Sequence, residues 1–213
     1  MDNKYKVVCF DMDGTLITNT NSVEFLCLLN NKGDEIQEIE RKEENDIISW
    51  IEADYIKAQL FKGLEVNKVE EEFNNYIQII EDLALVLEEL KVNNFKTILV
   101  TAGPMQVAEV LNNMYGFDKI YGSIYEIKDG YFTGNIIRHL GDSGKLDSLI
   151  EFCRENKVTL DDVVAIGDSA SDIKVFEKVG KAIAINYSNK LIGKADKYLE
   201  THKISDILKH IIS

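Results

Sequence analysis

Proline, cysteine and basic residues are all scarce in this sequence, and each shortage removes a class of protein. Its 213 residues hold one proline, Pro104, with no internal repeat, low-complexity tract or proline-rich linker, so solenoid arrays and linker-rich chains are excluded. The three cysteines, Cys9, Cys27 and Cys153, are odd in number and far apart. They form no disulfide framework and have no zinc-like spacing; they read as reduced, mostly buried thiols of a cytoplasmic protein. Lys and Arg total 24 against 37 Asp and Glu, a formal net charge of −13. That balance argues against nucleic acid or an anionic membrane as partner, though not against a small anion bound at a locally positive site. No apolar run reaches the roughly 20 residues of a membrane span. Met1 to Lys6 lead straight into an apolar strand pattern, with no signal peptide expected. His139, His202 and His210 have no ligand-like spacing and receive no role.

What is present suits an ordinary globular chain, 45% hydrophobic and 29% charged, enough for one sizeable core or a core with a small second domain. Residues 5–10 are short, apolar and β-branched, as in a central strand. Residues 20–80 show helical periods instead. Val66, Val69, Phe73, Ile77 and Ile80 make one stripe, and Ile47, Ile48, Ile51, Tyr55 and Leu60 suggest another. Phe25, Trp50, Tyr55 and Phe73 are expected in the core of this insertion, and Glu38 to Glu44 and Glu70 to Glu72 on solvated helix faces. Strands and helices then alternate. A helix is expected at 82–93, a strand at 96–100, and a helix with Pro104 at its first position. A hairpin turns at Asp129-Gly130. A helix over 144–157 is expected to bury Leu146, Leu149, Ile150 and Cys153, and strands follow at 162–166, 182–185 and 197–199 before a final helix from 204. The fold class is therefore α/β, a doubly wound parallel sheet with an inserted all-helical cap. Residues 1–17 and 82–213 are assigned to the core and 18–81 to the cap.

Such sheets bind ligands at the carboxyl ends of their strands, where four polar clusters fall. The first is Asp11-Met12-Asp13-Gly14-Thr15, two carboxylates leaving a buried strand together; their repulsion calls for a cation, a shared proton or water. The others are Thr101-Ala102-Gly103, Gly144-Lys145, and Gly167-Asp168-Ser169-Ala170-Ser171-Asp172. Taken singly, Thr101 could cap a helix, Lys145 could be solvated, and Asp168 and Asp172 could serve a turn and a helix N-terminus.

In this order the clusters resemble those of the haloacid dehalogenase-like phosphohydrolases, over nearly the whole chain. The layout is similar to the branch that contains phosphoserine phosphatase. The resemblance implies a Mg²⁺-dependent phosphatase acting on a small phosphorylated metabolite through an aspartyl-phosphate. It makes Asp11 the nucleophile and Asp13 the acid and base. Mg²⁺ would be held by Asp11, Asp13 (through its backbone carbonyl), Asp168 and Asp172. Thr101, Ala102, Gly103, Gly14 and Thr15 would meet the phosphoryl group, and Lys145 would offset its charge. The cap would choose the substrate. Where the branch carries a glutamate for a substrate ammonium this chain has Thr20, with Glu24 one turn on; where it carries an arginine for a carboxylate this chain has Lys57, which lacks bidentate geometry. Ser171 stands where the branch has asparagine. Phosphoserine is thus one candidate among small phosphate esters. The alternatives are a phosphotransferase or mutase on the same scaffold and a receiver-like regulator that binds phosphate without turnover; a dehalogenase fits Asp13 and the acidic pair less well. A monomer or homodimer is expected.

Overall fold

The computed structural model describes residues 4–141 and 143–212. Met1 to Asn3 and Ser213, the ends of the expected core segments, lie outside the described residues, as does Asp142. In chain order the elements are β1 (Val7–Phe10), α1 (Ser22–Leu29), α2 (Gly33–Glu44), α3 (Trp50–Leu60), α4 (Asn67–Tyr76), α5 (Leu83–Val92), β2 (Lys96–Pro104), α6 (Met105–Tyr115), β3 (Lys119–Lys128), β4 (Tyr131–Arg138), α7 (Gly144–Asn156), β5 (Val163–Gly167), α8 (Ile173–Phe176), β6 (Lys181–Ile185), β7 (Lys197–Leu199) and α9 (Leu208–Ile211). The strands form one sheet ordered β4-β3-β2-β1-β5-β6-β7. Every pairing is parallel except β3 with β4, whose turn uses Asp129 and Gly130 at positive φ.

The Val-Val-Cys-Phe run of β1 is buried along its whole length because it pairs on both sides, with β2 and with β5. Its alternation divides the interior. Val7 and Cys9 join the layer containing Leu149, Phe152 and Cys153 of α7. Val8 and Phe10 join the opposite layer, which continues without a break into Phe25, Phe61 and Phe73 of the helical insertion. The insertion therefore shares a core with the sheet. Its ends are tied where the chain leaves and returns: Ile80 N–H donates to Leu16 C=O at 2.9 Å, and Thr18 N–H to Gln78 C=O at 3.0 Å. Its far side is bonded to the hairpin, with Gly63 N–H on Phe132 C=O at 2.7 Å and the Gln59 amide on Gly134 C=O at 2.6 Å.

Chain order places the chemistry. From β1 the chain builds outward through β2, β3 and β4, then returns to the other flank of β1 as β5. The direction of winding thus reverses beside β1, opening a crevice at the carboxyl ends of β1, β2 and β5.

Several expectations need correction. The stripe at 47–60 does not form: α3 begins at Trp50 and buries Ala53, Lys57 and Ala58, while Ile47 and Tyr55 are exposed. Two alanines suit its close packing against neighbouring helices, where the larger residues would not fit. Phe25 and Phe73 are core as expected, but Trp50 and Tyr55 are not. In α7 the buried face is Lys145, Ser148, Leu149, Phe152 and Cys153, with Ile150 exposed and Leu146 half-buried. That face is rotated toward the crevice, which Lys145 must reach. β2 does not stop at residue 100. It continues to Pro104 through a register shift against β3, so Pro104 precedes α6 as its N-cap instead of opening it. The final helical segment is a 3-10 turn at Ile204–Ile207 before α9.

Candidate active site

The crevice is a cleft of about 180 Å³. Asp11 is the first residue beyond β1, and its N–H donates to Ile166 C=O of β5 at 2.9 Å, fixing the side chain at the mouth of the strand pair. Lys145, in the first turn of α7, brings a buried ammonium to it. Lys145 Nζ lies 2.6 Å from Asp11 Oδ1, 2.9 Å from Asp172 Oδ1 and 2.9 Å from Ser171 Oγ. Burial works against the lysine's charge, but Asp11 and Asp172 outweigh it and hold its pKa well above the usual range. Ser171 thus does useful work as an acceptor for Lys145.

Asp11, Asp168 and Asp172 can each bring one carboxylate oxygen within 4.8 Å of the others. Asp172 is largely committed: Oδ1 to Lys145, and Oδ2 accepting the N–H groups of Asp168 at 3.1 Å and Ser169 at 3.2 Å. It shapes the loop. Asp168 keeps one oxygen unclaimed, its Oδ1 buried with no hydrogen-bond partner. Burial, reinforced by Asp11 and Asp172, pushes its pKa up to about 9. Burial pushes Asp11 up to about 7 against the pull of Lys145. One lysine does not balance three carboxylates, and the hard oxygen donors and the orphaned Asp168 oxygen fit a small divalent cation. Gly14 allows this closeness. It sits at φ +76, and a side-chain carbon there would overlap the Asp168 carboxylate.

The carboxylate of Asp13 stands apart from the three. It caps α1, accepting Ser22 N–H at 2.8 Å and Ser22 Oγ–H at 2.5 Å. That N–H is one of the unpaired amides of a helix start, so the helix itself orients Asp13. Burial pushes Asp13 up to about 6 against these two bonds. Thr101 is buried at the lip of β2, and its Oγ accepts Gly103 N–H at 2.9 Å. The irregular end of β2 presents Thr101, Ala102 and Gly103 to the cleft, as bulges do beside active sites.

Asp11, Asp13, Thr101, Ala102, Gly103, Lys145 and Lys57 line this one cleft. Gly14 and Asp168 line instead a separate, larger hollow of about 530 Å³, and Thr15 is wholly buried with its hydroxyl unpartnered. Thr20 and Glu24 are not among the lining residues. Thr20 Oγ–H donates to Glu24 at 2.5 Å, so the two satisfy each other.

Lys57 lines the cleft as the resemblance implies, but its neighbours in the cap wall, Glu40, Glu43, Trp50 and Asp54, carry no site role in the sequence analysis. Glu40 and Glu43 were expected to be solvated, yet they grip the buried Lys57 at 2.7 and 2.9 Å. Burial opposes the charge of Lys57, and the two glutamates outweigh it and raise its pKa. Trp50, Asp54 and Lys57 line the cleft from one face of α3, the i, i+4, i+7 spacing of a helical stripe. His139 gains a role: its Nδ1 accepts Gly141 N–H at 2.8 Å, so the ring proton is on Nε2, 2.8 Å from Asp54 Oδ2. The ring also packs against Trp50 and Tyr55, at 5.5 and 5.7 Å between centroids. The signal for this wall was the i, i+4, i+7 spacing of Trp50, Asp54 and Lys57, a stripe flanked by Ala53 and Ala58.

A haloacid dehalogenase-like hydrolase profile matches residues 8–177. A phosphoserine phosphatase of Methanocaldococcus jannaschii is 27% identical over 212 residues, covering 99% of this chain and 100% of that one. A phosphoserine phosphatase of Saccharomyces cerevisiae is 25% identical over 214 residues, 98% of this chain and 69% of its own. The solved structure of a phospho-aspartyl intermediate analogue of phosphoserine phosphatase matches with a TM-score of 0.86 and 27% identity, over 98% of this chain and 99% of that one. Among the described residues no helix is long and apolar enough to cross a membrane.

Proposed function

Because the chain belongs to the haloacid dehalogenase-like hydrolases, we propose that it is a phosphomonoesterase of small phosphorylated metabolites, with Asp11 as nucleophile and Asp13 as acid and base. The observation that carries this reading is the division of labour between the two aspartates. Asp11 is held by Lys145 inside a cation-seeking cluster, while Asp13 is held apart by Ser22.

An Asp11 carboxylate oxygen attacks phosphorus, and the bond from phosphorus to the ester oxygen breaks. Asp13, protonated, gives its proton to that oxygen, and the alcohol departs. A water then attacks the aspartyl-phosphate, Asp13 takes its proton, and inorganic phosphate leaves Asp11 free. A pKa near 6 suits a group that must give and then accept a proton near neutrality. Thr101 and the amides of the β2 lip orient the phosphoryl oxygens, and Lys145 offsets their charge. Asp11, Asp168 and the carbonyl of Asp13 would hold a Mg²⁺, with Asp172 ordering the loop beneath. The ion would supply positive charge that lets two anions meet.

The three cysteines are free and buried, which suits the reducing cytoplasm. The phosphoserine phosphatases among the relatives make serine phosphate the first natural ester to assay. The decisive measurement is hydrolysis of an aryl phosphate with Mg²⁺ and with chelator, for wild type and Asp11→Asn. Turnover is expected only for wild type with metal. Activity that survives both chelation and the substitution overturns the reading.

A further inference from the structure

Resting on that phosphatase reading, we infer that the cleft selects phosphate esters whose alcohol carries a cationic amine, with Asp54 and Trp50 forming the amine subsite and no free counter-charge for a carboxylate. The leaving alcohol must lie between the phosphoryl lip and the cap, because the cleft is closed on that side by Glu40, Glu43, Trp50, Asp54 and Lys57. This wall has three acids and one base. The base is already taken, since Lys57 is buried and ion-paired with both Glu40 and Glu43. A substrate carboxylate would have to displace a glutamate from Lys57 and then sit beside it, trading one ion pair for another while adding repulsion. The other cation of the cleft, Lys145, is engaged by Asp11, Asp172 and Ser171. A third cation, Lys190, is exposed and lines the adjoining hollow instead of the cleft.

An ammonium meets the opposite situation. Asp54 is held in place through one oxygen, by His139 Nε2. Among the described residues no hydrogen bond occupies its second oxygen. Trp50, on the same helix face, offers an aromatic surface to a cation. Buried Tyr125 supplies a separate observation. Its hydroxyl has no hydrogen-bond partner, and it lies near enough to Asp54 and Asp13 that their charges add to burial in holding its pKa well above normal. A buried hydroxyl without a partner close to both aspartates leaves the cap side of the cleft with unmet polar capacity beneath its lining.

The test is a comparison of kcat/KM with Mg²⁺ for ethanolamine phosphate, choline phosphate, serine phosphate, glycerol phosphate and phosphoglycolate, with an aryl phosphate alongside. Ethanolamine phosphate is expected to exceed neutral glycerol phosphate and serine phosphate by about tenfold or more, and phosphoglycolate to be poorest. Comparable turnover of choline phosphate assigns recognition to charge and the Trp50 ring. Loss of choline phosphate alone assigns it to hydrogen bonding by Asp54. Either supports the subsite. Asp54→Asn keeps the contact to His139, and it should narrow the ratio of ethanolamine to glycerol phosphate; Trp50→Leu should narrow it independently. Aryl phosphate turnover with serine phosphate or glycerol phosphate preferred, or with ratios unmoved by both substitutions, overturns this inference and leaves the phosphatase reading standing. Failure on the aryl phosphate itself removes both.

Discussion

Two walls face each other across the cleft, and they are built by different means. The sheet wall hangs its functional groups from strand ends. Asp11 follows β1, Thr101 lies in the last part of β2, and Asp168 follows β5. The parallel register that pairs Phe10 with Leu99 and with Ile166 brings those ends level, so a few residues of sequence become a position in space. The cap wall takes its groups from helix faces, Glu40 and Glu43 on α2 and Trp50, Asp54 and Lys57 on α3. What those faces meet depends on how the helices pack. On the proposed reading, the sheet wall carries chemistry common to phosphate esters, and the cap wall carries choice among them.

The strongest way to break the sheet wall is at Asp13. Asp13→Asn keeps a side-chain acceptor for Ser22 but cannot cycle a proton. With an alkyl phosphate, whose leaving alcohol needs protonation, kcat should fall by about 10²–10⁴-fold with little change in KM. An equal loss in KM would instead make Asp13 a binding group. Next in size is Lys145→Ala. It strands Asp11 and Asp172 as buried, unpaired carboxylates, a loss of about 3–5 kcal/mol for a broken buried pair. Thermal unfolding should show it as a drop of roughly 2–4 °C per kcal/mol for a chain of this size. A melting temperature unchanged from wild type would mean that Lys145 adds no net stability.

The same contrast decides what could be read before the structure. Asp11 and Asp168 were legible because apolar β-branched runs announce buried strands and the chain leaving such a run has one place to go, whereas Lys145, in the first turn of α7, was legible only through the order of the clusters and the resemblance they carry. Asp13 was legible as a site residue but not in its detail, since Ser22 reaches it only when α1 starts where it does. The cap residues were misread because Glu40 and Glu43 look like any solvated acids, and nothing local to them reveals that Lys57 arrives from another helix. Ile47, Ile48 and Ile51 misled for a related reason. Helical spacing identifies a face, but α3 packs closely through Ala53 and Ala58, so the small residues mark the buried side.

A third prediction concerns the cation that the sheet wall calls for and acts on stability rather than rate. Asp11 near 7 and Asp168 near 9 lie far above the ordinary carboxylate pKa of about 3.9, chiefly through burial. The folded metal-free protein therefore keeps protons that the unfolded chain has released. Such stability is fully present below the ordinary carboxylate range and is lost as pH rises from about 4 toward about 9. In chelator, the melting temperature should fall between pH 5 and pH 8. Mg²⁺ competes with protons for the same oxygens, so it should raise the melting temperature more at pH 8 than at pH 5. An equal Mg²⁺ effect at both values would remove the carboxylate cluster as its binding site.

The smallest expected effect lies in the cap and sharpens the contrast most. Thr20 and Glu24 occupy the region where resemblance suggests a substrate-facing acid, but they bond to each other outside the cleft lining. Thr20→Val removes one exchangeable hydrogen bond, a loss of about 0.5–1.5 kcal/mol borne by the rim of α1 and felt by the substrate only indirectly. Across the amine, neutral and carboxylate esters, kcat/KM should change by less than about threefold, and by the same factor for each. A selective loss for one ester would bring Glu24 back into the cleft on substrate binding and make the α1 rim, instead of the Trp50–Asp54 face of α3, the element that reads the alcohol.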